Sequence, residues 1–251
     1  MDDDNQEDIM TSEIKVFSAA KGIYRLGFWS AVLLTGFAVV AFAAAIATPP
    51  RSGPFCTSAC IRYPYASAAA FFPRDYLWMV PAIFMMLLFV ILTTCIHNYA
   101  DDDKKMFSQV GLSFALISAA LVITDYFIQL TVLQPSILNG EMEGLALFSQ
   151  YNPHGIFIAL EDLGYLMMSL AFLFISVVFA RGERLEHALR WLFVISSLVA
   201  FVAFIGLTLV YRNGLEYRFE VAIITINWIT LIVSGLLLSI LFQRVWKYKR
   251  A

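Results

Sequence analysis

Residues 156–180 of this chain read IFIALEDLGYLMMSLAFLFISVVFA, a run with two adjacent acids and no Lys or Arg. A helix needs about 20 mostly apolar residues to cross the ~30 Å hydrocarbon layer of a bilayer, at a rise of ~1.5 Å per residue. The run is long enough for this, whereas the strands of a membrane β-barrel are short and alternate between apolar and polar residues. The stretch therefore predicts a membrane-spanning α-helix.

Five further runs of the same kind lie along the chain. With the first, they predict spans at about 27–48, 77–97, 107–133, 156–180, 191–211 and 221–242. The composition agrees, because 60% of the residues are hydrophobic and 14% are charged. Soluble domains have roughly 45–50% apolar and about 25% charged residues. We therefore predict an all-α fold, a polytopic bundle of six transmembrane helices.

The distribution of Lys and Arg predicts that both termini lie in the cytoplasm, because cytoplasmic loops carry an excess of positive residues. Twelve of the 17 Lys and Arg residues then fall on the inner side, namely Lys15, Lys21, Arg25, Lys104, Lys105, Arg181, Arg184, Arg190, Arg244, Lys247, Lys249 and Arg250. The outer loops carry Arg51, Arg62, Arg74, Arg212 and Arg218. The chain thus divides into a cytoplasmic N-terminal segment, a six-helix transmembrane domain and a cytoplasmic basic tail, at residues 1–26, 27–242 and 243–251.

Three acids fall inside the predicted spans, and no basic residue does. Asp125 belongs to the third span, and Glu161 and Asp162 belong to the fourth. A charged residue at a helix centre costs about 2.5–3.5 kcal/mol on insertion scales, so these positions are informative. Counted at ~1.5 Å per residue, Asp125 lies ~12 Å below the outer end of its helix, and the adjacent pair lies ~8–9 Å below theirs. An acid inside a membrane is by default a candidate functional residue.

These depths predict an acidic cavity in the outer half of the bundle, open to the outside. Gln129 and Tyr165 share helix faces with the acids, and Asn227 of the sixth span lies at the same level. His154 lies at the outer start of the fourth helix, near the level of the acids. The candidate ligand-binding residues are Asp125, Gln129, His154, Glu161, Asp162, Tyr165 and Asn227. The alternative interpretation is that protonated acids and amides only cross-link helices.

Several chemistries lack the residues that they need. A retinal protein needs a Lys in a span, a membrane haem needs facing His residues, and zinc proteases need His-Glu-x-x-His, so we predict no cofactor and no metal site. No basic cluster stands on a polar domain, and we therefore expect no nucleic-acid partner. Cys56 and Cys60 lie in the first outer loop, where an oxidising compartment would permit a disulfide. The sequence leaves open whether they are bridged.

The region from Asp125 through Glu161, with SQYNPHG at 149–155, resembles a recurring type of uncharacterised prokaryotic six-helix integral membrane protein. A long first outer loop followed by five more spans is similar to the layout of these domain-of-unknown-function families. The resemblance implies a prokaryotic inner membrane as the location. It implies no substrate and no site residues.

Three functions remain open at this point. The first is a small-ligand binding, sensing or transport-type protein, in which the acids supply charge or protons. The second is a membrane-embedded acid–base enzyme of the isomerase kind, acting on a lipid-like substrate with one neutral and one ionised carboxyl. The third is a structural or accessory subunit. The expected partners are the bilayer and a small or lipid-like ligand, and the sequence leaves open whether the chain forms homo-oligomers.

Overall fold

Six long helices make up the molecule. The structure, a computed structural model, describes the backbone of residues 2–180 and 182–248 and the side chains of 22–180 and 182–247. We label the long helices α1 to α6, and they comprise Asp2–Ala47, Met79–Tyr99, Lys105–Ile128, Ile156–Ile175, Arg184–Tyr211 and Tyr217–Tyr248. Each contains a segment long and apolar enough to cross a membrane, and the described ranges contain no strand. The predicted all-α six-helix bundle is confirmed, and the protein is an integral membrane protein.

The apolar spans overlap all six predicted ranges. They run over Gly22–Ala47, Arg74–Tyr99, Asp102–Leu138, Ile156–Phe179, Arg184–Gly214 and Tyr217–Lys247. α1 is one continuous helix from Asp2, so most of the N-terminal segment is part of the first long helix. α6 already begins at Tyr217, and this brings Glu220 into the sixth helix.

The helices follow one another around the bundle in chain order. α1 packs against α2 and α6, and each of the others packs against its neighbours in the chain. α4 also contacts α6 across the bundle, and its span is the most deeply buried of the six. The helix that carries Glu161 and Asp162 therefore lies between α3 and α6, with polar side chains from both within reach.

The third span ends in a widened turn. Regular α-helix stops at Ile128, residues Gln129–Leu133 form a π-helical segment, and α-helix resumes over Gln134–Leu138. Pro135 supplies the physical reason. A proline has no N–H to donate, and in a regular helix its ring collides with the carbonyl four residues earlier. Single π-turns of this kind are frequent near functional sites.

Residues 48–78, 139–155 and 212–216 connect helices at one end of the bundle, which we call the long-loop end. Side chains tie these connections together. The Ser52 hydroxyl donates to the Tyr151 carbonyl at 2.6 Å and lies 2.6 Å from the Tyr217 hydroxyl. Arg51 pairs with the buried Asp75 carboxylate at 2.9 Å. Cys56 and Cys60 form a disulfide within the first of the loops.

Candidate functional site

The three acids predicted from the sequence converge, and Glu220 of α6 joins them. The carboxyl of Glu220 lies close enough to that of Glu161 for the two groups to interact directly. Asp125 and Asp162 are both close enough to Glu161 to interact with it electrostatically. Glu161 has no exposed surface, and Asp125 is 2% exposed. Helices α3, α4 and α6 thus place four carboxyls within electrostatic range of one another, in the half of the bundle nearer the long-loop end.

A chain of hydrogen bonds between three aromatic side chains ends at Glu161. The Tyr126 hydroxyl donates to Oε1 of Glu161 and lies 3.0 Å from the Tyr165 hydroxyl. The indole Nε1 of Trp228 donates to Tyr165 at 2.8 Å. Because Tyr126 uses its proton on Glu161, Tyr165 has to be the donor between the two phenols. All three donors therefore point toward Glu161, and the three side chains are fully buried.

Among residues with described side chains, no Lys or Arg forms an ion pair with any of the four acids. Oδ2 of Asp125, Oε2 of Glu161 and Oδ1 of Asp162 are buried and have no hydrogen-bond donor there. An uncompensated buried charge is strongly destabilising. The cluster therefore has to hold protons or bind a positively charged partner.

A cavity of about 370 Å³ adjoins the acid cluster at the long-loop end. The last turns of α1 and the first turns of α6 form two of its walls, and residues 48–52 and Tyr151 form its roof. Its charged lining residues are Arg51 and Glu220, and most of the remaining lining is apolar. Arg51 shares the Asp75 carboxylate with Arg74, so it is only partly neutralised, whereas Glu220 presents an acidic group to the cavity with Glu161 behind it.

The roof is fixed to α6 by a close approach at Gly53. This glycine has φ of +64°, and a Cβ atom there would lie 2.5 Å from the ring of Tyr217. The Tyr217 hydroxyl also bonds to the Gln150 carbonyl at 3.1 Å. Burial raises the pKa of the Tyr151 phenol well above its usual value, with smaller contributions from Tyr76 and Asp75. Tyr151 is therefore neutral and adds no negative charge to the roof.

Three of the candidate residues do not line the cavity. Two of them stabilise the fold, and the third is exposed. The Gln129 amide donates to the Phe148 carbonyl and accepts from the backbone N–H of Gln150 at 3.2 Å, which secures the second long loop. Asn227 donates to Ser169 of α4 at 3.2 Å and to the Ile223 carbonyl at 2.9 Å, which links α6 to α4. His154 is exposed. None of these side chains belongs to the cavity lining.

The expected shared cavity needs a correction. Asp125, Glu161, Asp162 and Tyr165 do not line the cavity, because they are packed behind Glu220 and Trp228. Glu220 was missed because the predicted sixth span began one residue after it. Its signal was present in the sequence, since Glu220, Ile224 and Trp228 are spaced by four and share one helix face. Tyr126 carried no distinguishing signal beyond its position beside Asp125.

Fold and site together define a six-helix integral membrane protein with a carboxyl cluster next to an apolar cavity. No protein-family model, no curated protein and no solved structure matches the chain. The resemblance to a prokaryotic six-helix family stays a prediction. The function has to be inferred from the site itself.

Proposed function

We propose that the protein is a binding or transport-type membrane protein for a small ligand with an apolar body and a protonated amine. Ligand cavities are mostly apolar and contain a few polar groups that orient the ligand. Here the acidic group is the carboxyl of Glu220, which lines the cavity and contacts Glu161. That contact is the observation that carries the proposal, because a carboxyl cluster without a basic partner attracts a cation from the ligand.

Two further features support an organic cation as the ligand. The indole rings of Trp78 and Trp228 both line the cavity, with centroids 6.1 Å apart. Aromatic faces attract cations, and this attraction strengthens away from water. In the described part of the chain, no three His, Cys, Asp or Glu side chains are grouped as they would be around a metal ion. The site therefore suits an ammonium group better than an inorganic divalent cation.

The orientation belongs to the same proposal. Basic residues such as Lys104, Lys105 and Arg190 lie at the end of the bundle opposite the long loops. The excess of positive charge on cytoplasmic segments supports cytoplasmic termini and a cavity on the outer face, in a prokaryotic inner membrane. Lys104 is held in place by Asp101 at 2.9 Å and by the Val178 carbonyl at 3.2 Å.

A pair of matched compounds tests the proposal. n-Octylamine and 1-octanol share a chain length but differ in charge. Binding to the purified protein is followed by the midpoint of thermal unfolding and by the part of the tryptophan fluorescence that is lost in Trp78→Phe and Trp228→Phe, since the other three of the five tryptophans do not line the cavity. We expect octylamine to raise the midpoint, because a ligand that binds the folded state stabilises it, and octanol to have little effect.

Two substitutions make the test specific. Glu220→Gln should weaken octylamine binding by about tenfold or more, since it removes the charge that pairs with the amine, worth ~1.4 kcal/mol or more. Glu216→Gln is the matched control, because Glu216 pairs with Arg218 at 3.6 Å and is not part of the cavity lining. Equal responses to the amine and the alcohol, or an unchanged response in Glu220→Gln, would contradict the proposal.

The contact between Glu161 and Glu220 also favours a second candidate function, the acid–base enzyme. A carboxyl pair next to neutral phenols can deliver and recover a proton. An isomerase of this kind would exchange substrate hydrogen with solvent. Deuterium from D₂O should then appear in a ligand incubated with the wild-type protein and not with Glu161→Gln. A ligand that stays unlabelled with the wild-type protein supports the binding function instead.

A further inference from the structure

The cavity has an apolar rim at the side of the bundle, between α1 and α6. Ile46 and Val221 both line the cavity, and they are 70% and 50% exposed. Ile46 lies in the last turn of α1, and Val221 lies at the start of the second turn of α6. Both positions fall within the apolar spans. Their exposed surfaces therefore face the surrounding bilayer.

The loop side of the cavity is partly covered, although the lining residues Pro49, Pro50 and Phe55 are exposed there. Towards the loops, Ser52 is bonded to Tyr151 and contacts the Tyr217 hydroxyl, so the roof is joined to the first turn of α6. Further along the two helices, α1 and α6 are in direct contact. A Cβ atom at Gly235 would lie 2.2 Å from Oγ1 of Thr35, and one at Gly27 would lie 2.9 Å from the Phe242 ring. The two helices are thus in direct contact at these positions, and the cavity lies between their ends nearer the loops.

We propose that the ligand enters sideways from the bilayer, through the gap bounded by Ile46 and Val221. The ligand is then a membrane-dissolved amphiphile, with a single apolar chain and an amine head. Glu220 directly precedes Val221 and lies ~5 Å along α6 from its first residue, at ~1.5 Å per residue. This is the level at which lipid head groups meet acyl chains. An amine bound there leaves its chain in the apolar cavity or in the gap that leads to the lipid.

The amine head group rests on the proposed function, whereas the route of entry does not. The two can therefore fail separately. The route depends on the exposed apolar rim, and an uncharged chain would use it equally well. The test consequently needs a charged and an uncharged probe of the same chain.

Trp228 reports entry because it lines the cavity and has no exposed surface. The probes are ω-bromododecylamine and ω-bromododecanol, each dissolved in phosphatidylcholine vesicles that contain the protein. Bromine quenches an indole at short range, and the Trp228→Phe variant identifies the part of the signal that belongs to Trp228. We expect the amine probe to quench Trp228, while iodide in the surrounding water does not.

The possible results separate the two proposals. Quenching by both brominated probes supports lateral entry and counts against the amine preference. Quenching by the amine alone supports both. Quenching by neither probe, or quenching by aqueous iodide, would overturn lateral entry.

A second pair of variants tests the gap without touching the tryptophans. Ile46→Phe with Val221→Phe narrows the rim and should slow quenching by about tenfold, as expected when access becomes limiting. Val40→Phe with Val233→Phe is the control, because these side chains are exposed on the same two helices and do not line the cavity. Equal quenching rates in the two double variants would overturn the route.

Discussion

Glu161 has two different polar neighbours, a phenol and a second carboxyl. Oε1 accepts the Tyr126 hydroxyl, while Oε2 has no donor and the carboxyl contacts that of Glu220. Two negative charges in contact repel each other strongly where the dielectric constant is low. Glu161 and Glu220 therefore share a proton unless a cation is present. Binding of an ammonium group at Glu220 would remove the need for that proton.

The Tyr126 hydroxyl can be removed with little change of shape. Tyr126→Phe would leave a buried oxygen of Glu161 without its donor, and we expect a loss of about 1–3 kcal/mol in the free energy of unfolding. The measurement is denaturant or thermal unfolding in detergent. Tyr63→Phe, at a 76% exposed ring in the first loop, is the control and should leave stability unchanged. A Tyr126→Phe protein as stable as the control would show that the phenol contributes nothing to holding Glu161.

The position of a residue along a helix predicts its depth in the membrane better than it predicts the direction in which its side chain points. Asp125, Glu161 and Asp162 were expected at one level from the ~1.5 Å rise alone, and the structure places them together. Asn227 was expected at the same level, yet its amide faces Ser169. Direction depends on how each helix is rotated against its neighbours, and that is decided by packing across the bundle rather than by local sequence.

At the scale of the helices, the close contact between α1 and α6 depends on the absence of a side chain at Gly235. A methyl group at position 235 would lie 2.2 Å from Oγ1 of Thr35 and 3.1 Å from the Ala31 carbonyl oxygen. Gly235→Ala should therefore separate the two helices and lower the free energy of unfolding by about 1–3 kcal/mol. Thermal unfolding of the purified protein measures this change.

Gly36→Ala provides the comparison within α1. A Cβ atom at position 36 would meet nothing within 4 Å. Alanine is a better helix former than glycine, so this variant should gain about 0.5–1 kcal/mol. A Gly235→Ala protein that gains stability in the same way would mean that α1 and α6 are not held at this distance in the membrane.

Hydropathy located the six spans, but it did not locate the start of α6. The spans could be located because apolar runs of this length are characteristic of membrane-spanning helices. The start of α6 was placed too late, because the sequence YRFE at 217–220 contains two charged residues and reads as a loop. It is helical in the folded protein, where Tyr217 is bonded to the roof and Glu220 contacts Glu161. Tertiary contacts thus extend the helix beyond its apolar segment.

For the whole molecule, orientation is the central prediction that remains to be tested. We expect the long-loop end to face the outside of the cell. Glu141→Cys, at an exposed position in a long loop, should react with a membrane-impermeant maleimide in intact cells. Asp102→Cys, at the opposite end, should react only after lysis. The native cysteines give little background, because Cys56 and Cys60 are bridged and Cys95 is buried. The reverse labelling pattern would place the cavity on the cytoplasmic side.

The six-helix architecture could be predicted from the sequence, whereas the residues that line the cavity could not. Hydropathy and length are local properties, and they determine the number of spans. The roof depends on Ser52 meeting Tyr151 and Tyr217, which are 99 and 165 residues away along the chain. No periodicity or spacing in the sequence indicates such distant pairs. The cavity is a product of the folded arrangement as a whole.

The two carboxyls of the pair lie in two different membrane-spanning helices, and this has an electrical consequence. A charge that crosses the whole membrane moves through ~2.3 kcal/mol for every 100 mV of potential, and a charge that crosses part of it moves through that share. Glu220 and Glu161 lie within their spans rather than in the loops. A cation that arrives at the pair, or a proton that leaves it, therefore carries current through part of the field, and occupancy of the pair becomes sensitive to voltage.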